Sequence, residues 1–146
     1  TDSAEHHNEI LTGLALDGRQ VLWPLHPRLK AKMAELDLPQ NVTVTRPLSY
    51  FEMLDALAKC DGVYTDSGGL QKEAYWSKKP CVTMRRETEW TETVDAGWNV
   101  LSGPSAVEMQ AAKRALDARP LWKPIYGDGF ASDRIAKLIS EFLENV

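Results

Sequence analysis

Thr65-Asp66-Ser67-Gly68-Gly69-Leu70-Gln71-Lys72-Glu73-Ala74 reads as the end of a strand handed over, through a tight turn, to a helix. The upstream Asp61-Gly62-Val63-Tyr64-Thr65 has the β-branched and aromatic bias of a short strand, and Leu70, Ala74 and Tyr75 recur at helical spacing. The first N–H groups of such a helix lack intrahelical partners and its dipole favours an anion, while Gly68 and Gly69 let the backbone approach a ligand closely. A phosphate or diphosphate fits that geometry. The same residues fit a plainer role, in which Asp66 or Ser67 caps the helix and the glycines only tighten the turn.

Working outward, Ile10, Leu11 and Leu14 give an apolar stripe to a first helix over residues 2–16, which Asp17-Gly18 ends. A strand is expected over 20–25. Helical spacing resumes over 29–36 after Pro27, and 41–45 reads as a second β-branched strand. Ser49 with Glu52 makes a capping box for a helix whose apolar face carries Phe51, Leu54, Leu57 and Ala58. Then follow a strand over 61–65, a helix over 69–77, a strand over 80–84, a short helix over 88–96 stopped by Gly97, and a strand over 98–101. Ser105 and Glu108 open a helix reaching residue 117. A proline-rich loop covers 118–130, and Ile135, Leu138, Ile139, Phe142 and Leu143 stripe the last helix. Strands alternating with helices at this spacing predict an α/β fold: a Rossmann-like, doubly wound, mostly parallel sheet with helices on both faces and ligands at the carboxyl ends of the strands.

A chain of 146 residues is enough for one domain spanning 1–146, with one substantial core. The net charge of -4 and pI near 5.4 supply no general basic field. Nucleic-acid binding therefore has no support, and any phosphate site must be local. No apolar run reaches the length of a membrane span and no signal-peptide pattern opens the chain, so no membrane partner is expected and the cytoplasm is the default location. Cys60 and Cys81 lack metal-ligand spacing and read as reduced, partly buried thiols. His6-His7 reads as part of a solvent-facing helix side, and no metal site is assigned.

The run from Thr65 to Ala74, continued by Lys79-Pro80-Cys81-Val82-Thr83-Met84-Arg85 and Glu87-Thr88-Glu89-Trp90, closely resembles the non-hydrolysing UDP-N-acetylglucosamine 2-epimerases. Pro24-Leu25-His26-Pro27-Arg28, Pro47-Leu48-Ser49-Tyr50-Phe51 and Tyr126-Gly127-Asp128-Gly129 agree with it in the same order, so the resemblance covers about residues 20–143. It implies the C-terminal half of a two-domain GT-B-like enzyme, with the active site in the cleft between the halves. In that half the Ser-Gly-Gly turn binds the UDP diphosphate and a helix glutamate binds the ribose, which maps here onto Ser67, Gly68, Gly69 and Glu73. Glu73 lies about 9 Å along the helix from Ser67, a reach suited to a nucleoside whose phosphates sit at the helix tip; on the residues alone it could equally be a solvated carboxylate. The stretch holding Met53 matches the family's uracil-contacting main chain, with the side chain itself expected in the core. His26 matches a position near the nucleotide, although a histidine satisfied within its own loop fits as well. Arg28 and Arg85 could pair with phosphate or with carboxylates such as Glu87 and Glu89.

The family's reaction is elimination of UDP with loss of the C2 proton, then readdition after reprotonation of the opposite face. The resemblance places its carboxylate acid-base residues in an N-terminal domain and a further histidine in a His-Arg-x-Glu-Asn segment before the start of this chain. It therefore implies no catalytic residue here, an inactive isolated chain, a missing N-terminal domain, and a homodimer for the full-length enzyme. No cofactor is implied, and the ligand is UDP or a UDP-N-acetylhexosamine. The first strand of the half is also expected to be missing, to be compensated either by direct pairing of the strands at 20–25 and 61–65 in a five-stranded sheet or by a strand from another chain or lost fragment. The leading reading is UDP-N-acetylglucosamine and UDP-N-acetylmannosamine interconversion for surface polysaccharide. The alternatives are a relative acting on a UDP-diacetamido-uronic acid, a hydrolysing relative, a non-catalytic sugar-nucleotide-binding module, and a GT-B glycosyltransferase, against which the Thr65–Ala74 run speaks.

Overall fold

A computed structural model describes residues 4–33 and 36–144. Helix α1 (Ala4–Asp17) ends where Gly18 adopts a φ of 73° and its N–H bonds Ala15 O at 3.2 Å, the left-handed stop that Asp17-Gly18 predicts; its expected start at residue 2 lies outside the described residues. Strand β1 (Val21–Pro24) pairs in parallel with β2 (Val42–Thr45). Between them, the described residues of the helix expected over 29–36 form no α-helix: a 3₁₀ turn, Pro27–Leu29, is continued by i→i+3 bonds such as Lys32 N to Leu29 O at 3.0 Å, and residues 34–35 lie outside the description. Pro27 at the first helical position supports a turn start, yet no residue of that turn is buried, so no packed face extends it.

The chain continues through α2 (Tyr50–Lys59), β3 (Val63–Thr65), α3 (Gly68–Trp76), β4 (Cys81–Thr83), α4 (Thr91–Asp95), β5 (Asn99–Leu101), α5 (Ala106–Asp117) and α6 (Ala131–Glu144). Strands β3, β4 and β5 form a second parallel sheet in that order. Alternation along the strands sends Tyr64, Val82 and Val100 into a core with Ile10 and Leu14 of α1 and Met109, Ala112 and Leu116 of α5; Val21, Trp23, Val42 and Val44 of the first sheet join the same core. Val63 and Cys81 point the other way, into a cluster with Met53, Leu54 and Leu57 of α2 and Leu70 and Ala74 of α3. Each fully buried aliphatic side chain in these layers contributes roughly 1.5–3 kcal/mol.

Among the described residues, β1 pairs only with β2 and β3 only with β4, so the direct pairing considered above is not formed. Val21 N and Leu25 N bond carbonyls of the β2 segment at 2.8 and 3.0 Å, so by strand alternation position 24 faces the opposite edge, where Pro24 has no N–H to give. Side chains meet near the join instead. Arg19 and Lys113 both contact Asp17 at 3.0 Å, and Arg19 and Lys113 line a cavity of about 110 Å³ with Tyr64. Burial, reinforced by Asp17, pushes the Tyr64 hydroxyl up to about 12.

Three local expectations change. The Ser49–Glu52 capping box forms in both directions, at 2.8 and 3.4 Å, but Phe51 is 80% exposed and Ala58 is exposed; the buried side of α2 is Met53, Leu54 and Leu57. Ser105 makes no side-chain cap for α5; the Glu108 carboxylate pairs with Arg86 at 2.7 Å, and the Ala106 N–H is taken by Glu9 of α1 at 3.0 Å. His7, expected at the surface, is buried. Cys60 and Cys81 are free thiols, and burial pushes Cys81 up to about 12. No described helix is long and apolar enough to cross a membrane.

Candidate nucleotide site at the start of helix α3

Strand β3 delivers the chain to α3 through Asp66 and Ser67. Ser67 is the N-cap residue, with extended φ and ψ of -83° and 126°, and its N–H bonds Thr65 Oγ1 at 3.0 Å. Its own side chain makes no cap bond, so the Asp66-or-Ser67 cap is not what closes the helix through Ser67; the hydroxyl is exposed beside the first-turn amides. The helix starts one residue earlier than the spacing suggested. A Cβ on Gly69 would meet nothing nearer than Ser67 Oγ at 4.0 Å, leaving that side of the turn open.

The opposite wall is the segment after β4. Arg85 donates from Nη1 to Glu89 Oε2 at 3.2 Å, which is the carboxylate pairing of the two options open to it. Thr88 Oγ1 donates to Gln71 Oε1 at 2.6 Å, and the Trp90 N–H donates back to Thr88 Oγ1 at 3.1 Å. Asn99 Nδ2 reaches both Gln71 Oε1 and Thr93 Oγ1 at 3.0 Å, while Thr83 Oγ1 donates to Asn99 Oδ1 at 2.7 Å. Gln71 completes the chain by donating to Ser67 O at 3.3 Å. This polar network, in which Gln71, Thr83, Thr93 and Asn99 are fully buried, ties the first turn of α3 to β4, α4 and β5, and satisfied networks in low dielectric are rigid. Sequence reading missed Gln71 as its hub. The signal was present: Gln71 shares a helix face with Ala74 and Tyr75, so a polar group there must be buried and partnered.

Lys72 Nζ lies over Trp90, Tyr126 and Trp76 at 4.3, 4.8 and 5.1 Å from the ring centres, joining α3 to the 85–90 segment and to the Tyr126-Gly127-Asp128-Gly129 stretch. Tyr75, fully buried, donates to Lys123 O at 2.7 Å and accepts Trp122 Nε1 on its carbonyl at 2.9 Å, which pins the proline-rich loop.

The remaining expected residues divide. Glu73 is half-buried in the second turn of α3 and its carboxylate has no partner among the described residues. Met53 packs in the α2–α3 core, as expected of its side chain. His26 follows β1 on the other sheet and accepts the Arg28 N–H on Nδ1 at 3.3 Å, capping its own turn. The structure thus gathers Ser67, Gly68, Gly69, Glu73 and Arg85 around one helix start and leaves His26 bonded within its own loop. No group of three or more His, Cys, Asp or Glu residues among those described has metal-binding geometry.

A family model described as UDP-N-acetylglucosamine 2-epimerase matches residues 1–140. The UDP-2,3-diacetamido-2,3-dideoxy-D-glucuronate 2-epimerase of Pseudomonas aeruginosa is 39% identical over 135 residues, covering 91% of this chain and 38% of its own length. A UDP-N-acetylglucosamine 2-epimerase homolog of Methanococcus maripaludis is 32% identical over 146 residues, 95% of this chain and 41% of that one. The crystal structure of the Methanocaldococcus jannaschii UDP-GlcNAc 2-epimerase in complex with UDP-GlcNAc and UDP superposes with a TM-score of 0.80 at 29% identity, covering 96% of this chain and 42% of that one. The chain therefore spans about two-fifths of the length of these relatives.

Proposed function

The chain belongs to the UDP-N-acetylglucosamine 2-epimerase family, and we propose that its part in such an enzyme is to hold the UDP moiety of the substrate at the start of α3. The observation that carries this is the junction itself: a helix start with an exposed Ser67 hydroxyl, an open approach at Gly69, and a glutamate nearly two turns along with no partner among the described residues, all braced by a network whose centre is buried. The diphosphate lies on the first-turn amides and Ser67, Arg85 adds charge, and Glu73 accepts from the ribose hydroxyls. When the bond between sugar and UDP breaks, negative charge grows on the departing diphosphate, and fixed amide dipoles at that point stabilise it without reorganising. Proton transfer at C2 is assigned to residues outside this chain. Met53 contributes main chain near the base, and His26 lies near the nucleotide in the assembled enzyme, a homodimer supplying surface-polysaccharide precursors in the cytoplasm.

UDP-N-acetylglucosamine is the leading sugar. A second reading, a UDP-diacetamido-uronic acid, is favoured by the 39% identity to the Pseudomonas aeruginosa relative, above the 32% to the Methanococcus maripaludis homolog. Calorimetric titration with UDP tests the site common to both. Binding is expected, with Ser67→Ala and Glu73→Ala each weakening it by about 1–3 kcal/mol. A folded chain that ignores UDP at millimolar concentration, or unchanged affinity in both variants, removes the site. Joining the chain to its natural upstream sequence and assaying both UDP-sugars for epimerisation then separates the two readings, with the chain alone as an inactive control.

A further inference from the structure

Glu89 reaches back over the first turn of α3. A Cβ placed on Gly68 would collide with Glu89 Oε1 and lie 3.5 Å from Trp90 Nε1. The second carboxylate oxygen accepts from Arg85 Nη1 at 3.2 Å. The protein's own anion thus stands against Gly68, the first residue of α3, together with the arginine that follows β4. We propose that Glu89 is a displaceable occupant of the diphosphate seat: ligand phosphate enters as the Glu89 side chain swings out, and the swing releases Arg85 to pair with the phosphate. This rests on the UDP site proposed above.

The surroundings suit movement of that side chain alone. The backbone on either side is fixed, since the Trp90 N–H donates to Thr88 Oγ1 and Trp90 O accepts the Thr93 hydroxyl at 2.7 Å. The Trp90 ring is held under Lys72. The Glu89 side chain is 52% exposed, so its carboxylate can leave for water without stranding a buried charge. Trp90 Nε1, buried and without an acceptor among the described residues, lies 3.5 Å from the same Cβ position and is a donor available to an incoming oxygen. A singly charged anion exchanges one charge for another at this seat and gains little. A diphosphate brings more charge and more acceptor oxygens, and so outcompetes Glu89. Glu89 is on this basis a specificity-determining residue that selects diphosphates over simple anions.

The test compares the chain with Glu89→Gln and Glu89→Ala, each checked for folding by circular dichroism, in calorimetric titrations with UDP, inorganic pyrophosphate and uridine. Both variants are expected to bind UDP and pyrophosphate about tenfold more tightly than the parent chain, with uridine unaffected. UDP binding that is unchanged or weakened in both variants overturns the proposal while leaving the UDP site standing. A gain for pyrophosphate with no UDP binding supports Glu89 as occupant and refutes the nucleotide reading. Failure of parent and variants to bind either phosphate ligand refutes both.

Discussion

Gly68 shows why a residue is required by its neighbours rather than by its backbone. Its φ is not among the positive values found at glycines such as Gly18, so any residue could adopt its conformation; what it lacks is room, because a Cβ would meet Glu89. The obstructing atoms belong to the end of a flexible, exposed side chain, so Gly68→Ala is expected to leave the urea unfolding midpoint almost unchanged. The alanine methyl nevertheless stands between a phosphate and the first-turn amides, and UDP affinity should fall about tenfold or more. Loss of stability together with unchanged affinity would contradict that account. The glycine pair was legible in the sequence as a place of close approach, but that the approach is first made by Glu89 was not, since Gly68 and Glu89 are distant along the chain.

At the scale of elements, strand and helix positions followed the periodicity closely, because most of these elements bury one face and the pattern of apolar residues records it. The prediction failed in the segment after β1, where the described residues form a 3₁₀ turn with no buried residue. Caps divide along the same line. Ser49 and Glu52 are three residues apart and their box formed as the sequence implies, whereas the Ser105–Glu108 pair has the same spacing and does not cap. Glu108 finds Arg86, and the carboxylate at the α5 start comes from Glu9, 97 residues away. Glu9→Ala should therefore cost about 1 kcal/mol in urea unfolding, and Ser105→Ala close to nothing. The reverse order would restore the local cap.

At the scale of the molecule, the two sheets share one core over α1 and α5, and that join is electrostatic as well as apolar. Burial pushes the Asp17 carboxyl up, but bonds from Arg19 and Lys113 outweigh this and hold it below the usual aspartate range. At the far surface, bonds from Arg46 and from Ser49 bring Glu52 from 4.5 to about 2. Both folded values lie below the unfolded ones, so the stabilisation is present above the unfolded values and is lost as pH falls through the folded ones. Thermal midpoints should hold from neutrality to about pH 5 and decline between about 4.5 and 2, and Asp17→Asn should lower the plateau while flattening the decline. A decline of the same steepness in Asp17→Asn would remove Asp17 from it. Helix α6 stands apart from this core: none of its described residues is buried, and Ile135, Leu138, Ile139, Phe142 and Leu143 are all more than half exposed.

The sequence by itself determined the α/β class, the order of the elements, and the helix start at Ser67-Gly68-Gly69, because hydrophobic period, turn chemistry and a long motif are all local in the chain. Only the tertiary structure decided that β1 and β3 do not pair, that Gln71 and Asn99 brace the site, and that Glu89 stands against Gly68 with Arg85. Those outcomes depend on which side chains meet across long stretches of chain, and a hydrogen bond between distant residues leaves no periodic trace in either segment.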